Sequence, residues 1–235
     1  MENTKPTSLE ENEARGIAEI LSRGAANPTE FERYFRQINE LMCYYQCAIM
    51  EVETKFRVLE KQLSMHHDKS PIDSIQTRLK STASIMEKIQ RRNLDVTSIE
   101  TIEKNIHDIA GVRVICSFID DVYELAKSFA DQDDITVLEV KDYIKNPKPN
   151  GYRSLHIIVE VPIFLKEEKR MMKVEVQMRT IAMEFWSNLE HKMRYKKSMS
   201  EKVRRETEDE LFACAELSAE LDRRMQEVFY IIEND

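Results

Sequence analysis

Two stretches of this chain gather the residue types that handle phosphates. Lys148-Pro-Asn-Gly-Tyr-Arg-Ser-Leu-His156 supplies three groups able to meet an anion, Lys148, Arg153 and His156, beside the flat ring of Tyr152. Glycine is scarce, four in 235 residues, so Gly151 directly before Tyr152 is expected to serve a turn. Further on, Val174-Glu-Val-Gln-Met-Arg-Thr180 alternates. A strand there would carry Glu175, Gln177 and Arg179 on one face and Val174, Val176 and Met178 on the other. A carboxylate facing cations and a ring is the equipment of nucleotide phosphate chemistry. An ordinary amphipathic strand would carry the same alternation.

A second set of candidates lies upstream. In His107-Asp108-Ile-Ala-Gly-Val-Arg113, Asp108 falls where a helix should hand over to a strand. A hard oxygen at a strand end suits Mg²⁺, which keeps waters and substrate phosphates among its ligands; a cap or turn would use the same residue. Arg78, Lys80, Ser84, Lys88, Arg91 and Arg92 make one stretch basic within an acidic chain. Read as a helix opened by Pro71 and running to Arg92, it lines Lys80, Ser84 and Lys88 along one face at i, i+4 spacing. Such a face can cradle a polyphosphate or simply be solvated. His67-Asp68 and His107-Asp108 also spell the dipeptide of metal-dependent phosphohydrolases. That chemistry asks for a helical bundle with further His and Asp ligands, and five histidines with a strand after Asp108 do not supply it.

The elements that must position these groups follow from periodicity. Residues 1–27 read as a polar leader, and 28–235 as one domain. From Thr29 to Met65, Phe31, Tyr34, Phe35, Ile38, Leu41, Met42, Tyr45, Ile49, Val52, Phe56, Leu59 and Leu63 recur at three to four residues, an amphipathic helix. A short helix is expected over Thr97–Asn105. The period then drops to two: Gly111–Phe118, Asp134–Tyr143, Ser154–Val161 and Arg170–Met178 read as strands. Between the first two, Asp120–Asp131 reads as a helix with Asp120 or Asp121 as N-cap. Ile181–Tyr195 and Glu201–Glu233 read as helices, the last with Leu211, Leu217, Leu221, Met225 and Val228 at core spacing. The fold class is therefore α/β (α+β), a mixed four- to five-stranded sheet flanked by long helices from both ends.

Composition narrows the function. A charged fraction of 33% and a hydrophobic fraction of 42% are those of a globular protein. A net charge of −8 argues against a broad basic nucleic-acid surface and confines nucleotide binding to a local basic pocket. Cys43, Cys47, Cys116 and Cys214 form no CxxC pair, and Cys43 and Cys47, one helical turn apart, read as core thiols. No signal peptide and no apolar run near the roughly 18 residues of a membrane span are present, so a cytoplasmic place and no membrane partner are expected.

Arg78-x-Lys80-x3-Ser84-x3-Lys88, Asp108-Ile-Ala-Gly-x-Arg113, Lys148-x2-Gly151-Tyr-Arg-Ser154-x-His156 and Glu175-Val-Gln177-x-Arg179-Thr180, in this order, resemble the synthetase domain of the RelA/SpoT alarmone enzymes. The resemblance spans roughly residues 30–230, and with no hydrolase or regulatory domain expected it resembles the stand-alone small alarmone synthetases. It implies a nucleotidyltransferase-like fold and transfer of pyrophosphate from ATP to the ribose 3′-hydroxyl of GDP or GTP, giving (p)ppGpp and AMP in the stringent response, with Mg²⁺ as cofactor. It implies that Arg78 and Arg113 flank the adenine, that Lys80, Ser84 and Lys88 hold the ATP phosphates, and that Asp108 and Glu175 bind the metal. Tyr152 would stack on guanine, and Lys148 and His156 would meet the acceptor's 5′ phosphates with Gln177 close by. Glu175, Asp108 and Arg113 form the implied catalytic set, with Glu175 also able to take the hydroxyl proton. The implied partners are ATP with GDP or GTP (GMP and RNA left open) and further copies of the chain, a tetramer as in relatives. One branch of these enzymes is activated by its own product; where that branch carries Phe, Thr and Asn this chain has Ser74, Gln76 and Glu184. An acid at 184 would repel a polyphosphate, so product activation of that kind is not expected. Two other readings keep the residues but change the outcome: the same fold with another acceptor, such as an adenine nucleotide or a nucleic-acid 3′ end, or a non-catalytic sensor or toxin partner. The Asp108/Glu175 pair argues against the latter.

Overall fold

The apolar stripe of the first long segment folds as helix α1 (Pro28–Leu63). Ile38, Leu41, Tyr45, Ile49, Val52, Phe56 and Leu59 are all buried, so one face of α1 is committed to the core. The computed structural model describes residues 28–65, 70–92, 99–194 and 201–234. The leader 1–27 and the His67-Asp68 pair lie outside the described residues. After α1 come β1 (Ile72–Leu79), α2 (Thr82–Arg91), α3 (Ile99–Asn105), β2 (Ala110–Cys116), α4 (Ile119–Ala130), β3 (Thr136–Asp142), β4 (Leu155–Phe164), β5 (Lys169–Thr180), α5 (Ile181–Arg194) and α6 (Glu201–Glu233).

The strands form a five-stranded sheet in the order β1-β2-β5-β4-β3. Only β2 and β5 run parallel; the other neighbours are antiparallel. One face carries Val112, Val114, Val174, Val176, Met178, Ile157, Val159 and Val161, all buried, and α1 and α4 cover it. Phe56 of α1 stacks on Phe129 of α4 with ring centroids 4.5 Å apart. Each such fully buried side chain contributes about 1.5–3 kcal/mol, so this face supplies the main hold on the sheet. The other face is left free for polar side chains.

The expected helix from Pro71 to Arg92 is overturned. Ile72–Leu79 is edge strand β1, and the helix begins only at Thr82, capped by Ser81, whose Oγ accepts the Ser84 amide at 3.3 Å. Ile72, Ile75 and Leu79 mimic helical spacing because the register shifts between Ile72 and Ser74. That irregularity puts Ile72 (opposite Cys116), Ile75 (opposite Val114) and Leu79 (opposite Ala110) on the same apolar face. The N-cap of α4 is also displaced: it is Phe118, whose amide donates to Asp121 Oδ2 at 3.0 Å.

Helix α6 reverses its expected orientation. Leu217, Leu221, Met225 and Val228 are exposed, while Ala215, Asp222 and Gln226 face inward. The inward polar groups have work there. Gln226 Oε1 accepts the Asp120 amide at 3.2 Å, at the start of α4. Thr180 caps α5, accepting the Met183 amide at 3.2 Å, and donates to Asp222 Oδ2 at 2.6 Å. Burial pushes the Asp222 carboxyl up to about 6, against the pull of the Thr180 hydrogen bond and the Arg153 charge. The folded protein thus holds a proton that the unfolded chain releases near pH 4, so stability falls as pH rises from about 4 to about 6. Asp222→Asn keeps an acceptor for Thr180 and removes the buried charge. It should raise stability at pH 7 by about 1–3 kcal/mol and converge with the parent at pH 4, as read by scanning calorimetry at both values.

Candidate active site

The polar row expected of β5 runs across the whole sheet. Register sets Gln76 opposite Arg113, Arg113 opposite Gln177, Gln177 opposite His156, and His156 opposite Lys141. In the adjacent row Arg78 lies opposite Gly111, Gly111 opposite Glu175, and Glu175 opposite Ile158. Alternation turns all of these to the face opposite α1. Gly111 leaves the floor between Arg78 and Glu175 without a side chain.

Asp108 sits in the link between α3 and β2, as expected. Lys80, just past the end of β1, and Lys88 of α2 both reach its Oδ2 at 2.7 Å. Burial pushes the Asp108 carboxyl up, but hydrogen bonds and charge from the two lysines prevail and bring it down to about 2. Lys80 and Lys88 therefore converge, although they share no helix face; Ser84 is turned to Ser81, whose Oγ donates to Ser84 Oγ at 3.0 Å. Asp108 Oδ1 is buried without a hydrogen-bond partner. An orphaned carboxylate oxygen near a second carboxylate fits a hard cation, since Asp108 charge presses on Glu175. Among the described residues no three or more His, Cys, Asp and Glu converge, so a metal held there would take its remaining ligands from water and phosphate. His107 points elsewhere: its Nε2 lies 2.8 Å from the Lys104 carbonyl oxygen and 3.4 Å from Lys173 Nζ.

Glu175 is held from two sides. His156 Nδ1 lies 3.2 Å from its Oε1, and Gln177 Nε2 donates to its Oε2 at 3.1 Å. Burial raises its pKa, and the contacts with His156 and Gln177 outweigh that, leaving the carboxyl below its ordinary range. His156 Nε2 in turn lies 2.8 Å from Tyr152 Oη, to which Arg179 Nη2 donates. Lys148 Nζ stands 4.6 Å from the centroids of both Tyr152 and Tyr143, and burial lowers its pKa. Tyr143 meets His156 edge-on at 5.3 Å and Tyr152 at 6.1 Å. Sequence reasoning missed Tyr143; its place between strand β3 and Pro147 was the available signal.

Arg153 is corrected. It leaves the site and donates to the Gly151 carbonyl at 3.1 Å and to Glu216 of α6 at 2.8 Å. Extended backbone sends neighbours to opposite sides, so Tyr152 and Arg153 cannot both face the sheet. The loop is a turn: Gly151 N donates to the Lys148 carbonyl at 2.8 Å, and Gly151 has φ +86°. A Cβ there would stand 2.5 Å from Ala215 Cβ, so α6 backs directly onto the loop. Gly151→Ala should cost about 2 kcal/mol from the positive φ and the clash, lower Tm by roughly 4–8 °C, and raise KM for any nucleotide held by Tyr152.

Glu184 is buried, and its charge is shared by Arg113 at 3.0 Å and Arg179 at 2.7 Å. Burial raises its pKa and the two guanidiniums lower it further than burial lifts it. Ser74 and Gln76 lie on β1, opposite Ile115 and Arg113.

Residues 77–200 match the region found in RelA/SpoT proteins. The chain is 43% identical over 187 residues to the GTP pyrophosphokinase YwaC of Bacillus subtilis, spanning 80% of this chain and 87% of that protein. A second B. subtilis protein, GTP pyrophosphokinase YjbM, is 34% identical across 82% of this chain and 89% of its own length. The small alarmone synthetase 2 of B. subtilis has a TM-score of 0.71 at 38% identity, covering 82% of this chain and 97% of the other. Small alarmone synthetase 1 of the same organism, solved with its product pppGpp, has a TM-score of 0.74 at 31% identity, covering 84% and 99%. The sheet is thus that of an alarmone synthetase domain. The chain belongs to the RelA/SpoT family.

Proposed function

We infer that this chain transfers the β,γ-pyrophosphate of ATP to the ribose 3′-hydroxyl of GDP or GTP, releasing AMP and (p)ppGpp. The observation that carries the residue assignment is the continuous polar row: ATP-type groups on β1, β2 and α2 meet acceptor-type groups on β4 and β5, with Glu175 at the join.

Arg78 and Arg113 are diagonal neighbours on one face, which sets them roughly 7–8 Å apart. That spacing admits one flat ring between two guanidiniums, the place for adenine. Lys80 and Lys88, with Ser84 beside them, receive the ATP phosphates; Lys148 and His156 meet the acceptor's phosphates. Tyr152 offers guanine a stacking face worth about 1–3 kcal/mol, with Gln177 near the acceptor. Asp108 and Glu175 would hold Mg²⁺, which when bound would supply positive charge to the transferring group. The acceptor 3′-oxygen bonds to the β-phosphorus of ATP as its bond to the α,β-bridging oxygen breaks. AMP leaves with that oxygen, and the hydroxyl proton passes to the Glu175 carboxylate, which is held below its ordinary range and so is ionised to receive it.

The chain works as a homo-oligomer, a tetramer as the resemblance implies. Ile181, Phe185, Leu189 and Met193 on α5, with Leu217, Leu221, Met225, Val228 and Ile232 on α6, form exposed apolar stripes too long for a monomer surface. Leu221→Asp should lower the mass found by light scattering by at least half while leaving helix content unchanged. A cytoplasmic location fits the free thiols of Cys43, Cys47, Cys116 and Cys214. Among the described residues no helix is long and apolar enough to cross a membrane.

Purified protein incubated with ATP, Mg²⁺ and each of GMP, GDP, GTP and ADP tests the reading by anion exchange. The expected result is AMP formed one-for-one with a guanosine 3′-diphosphate product. Turnover with ADP alone would overturn the guanine assignment.

A further inference from the structure

Glu184 belongs to neither nucleotide subsite as assigned above, yet it touches one through Arg113 and reaches the other through Arg179. It lies in the first turn of α5, where a carboxylate suits the helix N-terminus. Its Oε1 accepts from Arg113 Nη1 and from Asn188 Nδ2, each at 3.0 Å, and its Oε2 accepts from Arg179 Nη1 at 2.7 Å. Arg179, 3% exposed, continues to Gln177 Oε1 at 3.2 Å and to Tyr152 Oη. The contacts close a ring: Arg113, Glu184, Arg179, Gln177 and back to Arg113 at 3.5 Å.

Two guanidiniums brought into one partly buried site repel unless an anion stands between them. Arg113 depends on that anion strongly. Its Nε is buried without a partner, and its contact with Gln177 is at the 3.5 Å limit, so Glu184 is its short anchor. On the other side the same carboxylate fixes Arg179, and Arg179 fixes the hydroxyl end of the Tyr152 ring. We propose that Glu184 is a positioning residue serving both nucleotide subsites at once, setting the Arg113 plane for the ATP base and, through Arg179, the Tyr152 ring for the acceptor base. This rests on the functional reading given above.

Glu184→Gln keeps the shape and removes the charge. KM for ATP and KM for GDP should each rise by about 10-fold or more, because small misplacements of binding groups are costly, while kcat stays within about 3-fold. In Glu184→Ala, added acetate should restore both KM values in a dose-dependent way and leave the parent protein unchanged, a response that a merely structural carboxylate would not give. Asn188→Ala, which loosens only the Oε1 side, should raise KM for ATP more than KM for GDP, and it keeps the test available if both Glu184 variants fail to fold. Unchanged KM values in Glu184→Gln, a change confined to one nucleotide, no acetate response, or an Asn188→Ala that moves neither KM would each overturn the proposal. A parent protein that makes no AMP from ATP and GDP would instead sink the functional reading itself.

Discussion

Glu175→Gln should lower kcat by about 10³-fold or more while both nucleotides still bind within about 5-fold of the parent. The replacement is nearly isosteric, so the row from Arg113 to His156 stays in register and the loss falls on charge. The carboxylate is ionised at neutral pH because His156 and Gln177 hold it below its ordinary range despite burial. An amide cannot take the hydroxyl proton, and its NH₂ would turn against either His156 Nδ1 or Gln177 Nε2, one of the two present contacts. Binding should survive, since one of the two contacts, to His156 or to Gln177, is kept and neither Tyr152 nor Lys148 touches the altered atoms. Anion-exchange turnover beside calorimetric titration of ATP and GDP separates the two effects. A variant with kcat within 10-fold of the parent would remove Glu175 from the chemistry.

Asp108→Asn should reduce kcat by about 10²–10³-fold, with a different signature in binding. Lys80 and Lys88 are both occupied by Asp108 Oδ2. Releasing them leaves two ammonium groups free for phosphates, so ATP without Mg²⁺ should bind at least as tightly as to the parent, while the gain on adding Mg²⁺ should vanish. Stability should move as well. The Asp108 carboxyl lies at about 2, below its unfolded value near 4, so it stabilises the fold at neutral pH and that contribution disappears as pH falls from about 4 toward 2. After allowance for solvent screening the loss in Asp108→Asn is about 1 kcal/mol at pH 7 and only a small part of that at pH 2. Titrations of ATP with and without Mg²⁺, and melting curves across pH, read these outcomes.

Strands β2, β4 and β5 were legible because their apolar faces pack on α1 and α4, and burial imposes a period of two on the sequence. That period also sets Glu175, Gln177 and Arg179 on one face from the sequence alone. Edge strand β1 was not legible: one shift of register converts its alternation into the spacing of a helix, and an edge needs no second buried face. The convergence of Lys80 and Lys88 on Asp108 was hidden for the same reason, since the two lysines come from a strand end and a helix rather than from one helical face. Arg153 misled because basic type says nothing of direction, and extended backbone turns it to Glu216. The outward stripe of α6 reads identically to a core stripe in sequence; only the inward Asp222 and Gln226, each with a backbone or capping partner to satisfy, distinguish the faces. Glu184 could be located by position but not understood, because its partners Arg113 and Arg179 come from two different strands.

The protein moves the terminal two phosphates of ATP together onto a guanosine 3′-hydroxyl. ATP labelled with ³²P at the β-phosphate, incubated with GDP and Mg²⁺, tests this most directly. The label should pass wholly into a guanosine product bearing a 3′-diphosphate, with unlabelled AMP in equal amount. Label appearing in ADP or inorganic phosphate, or turnover without AMP, would contradict it.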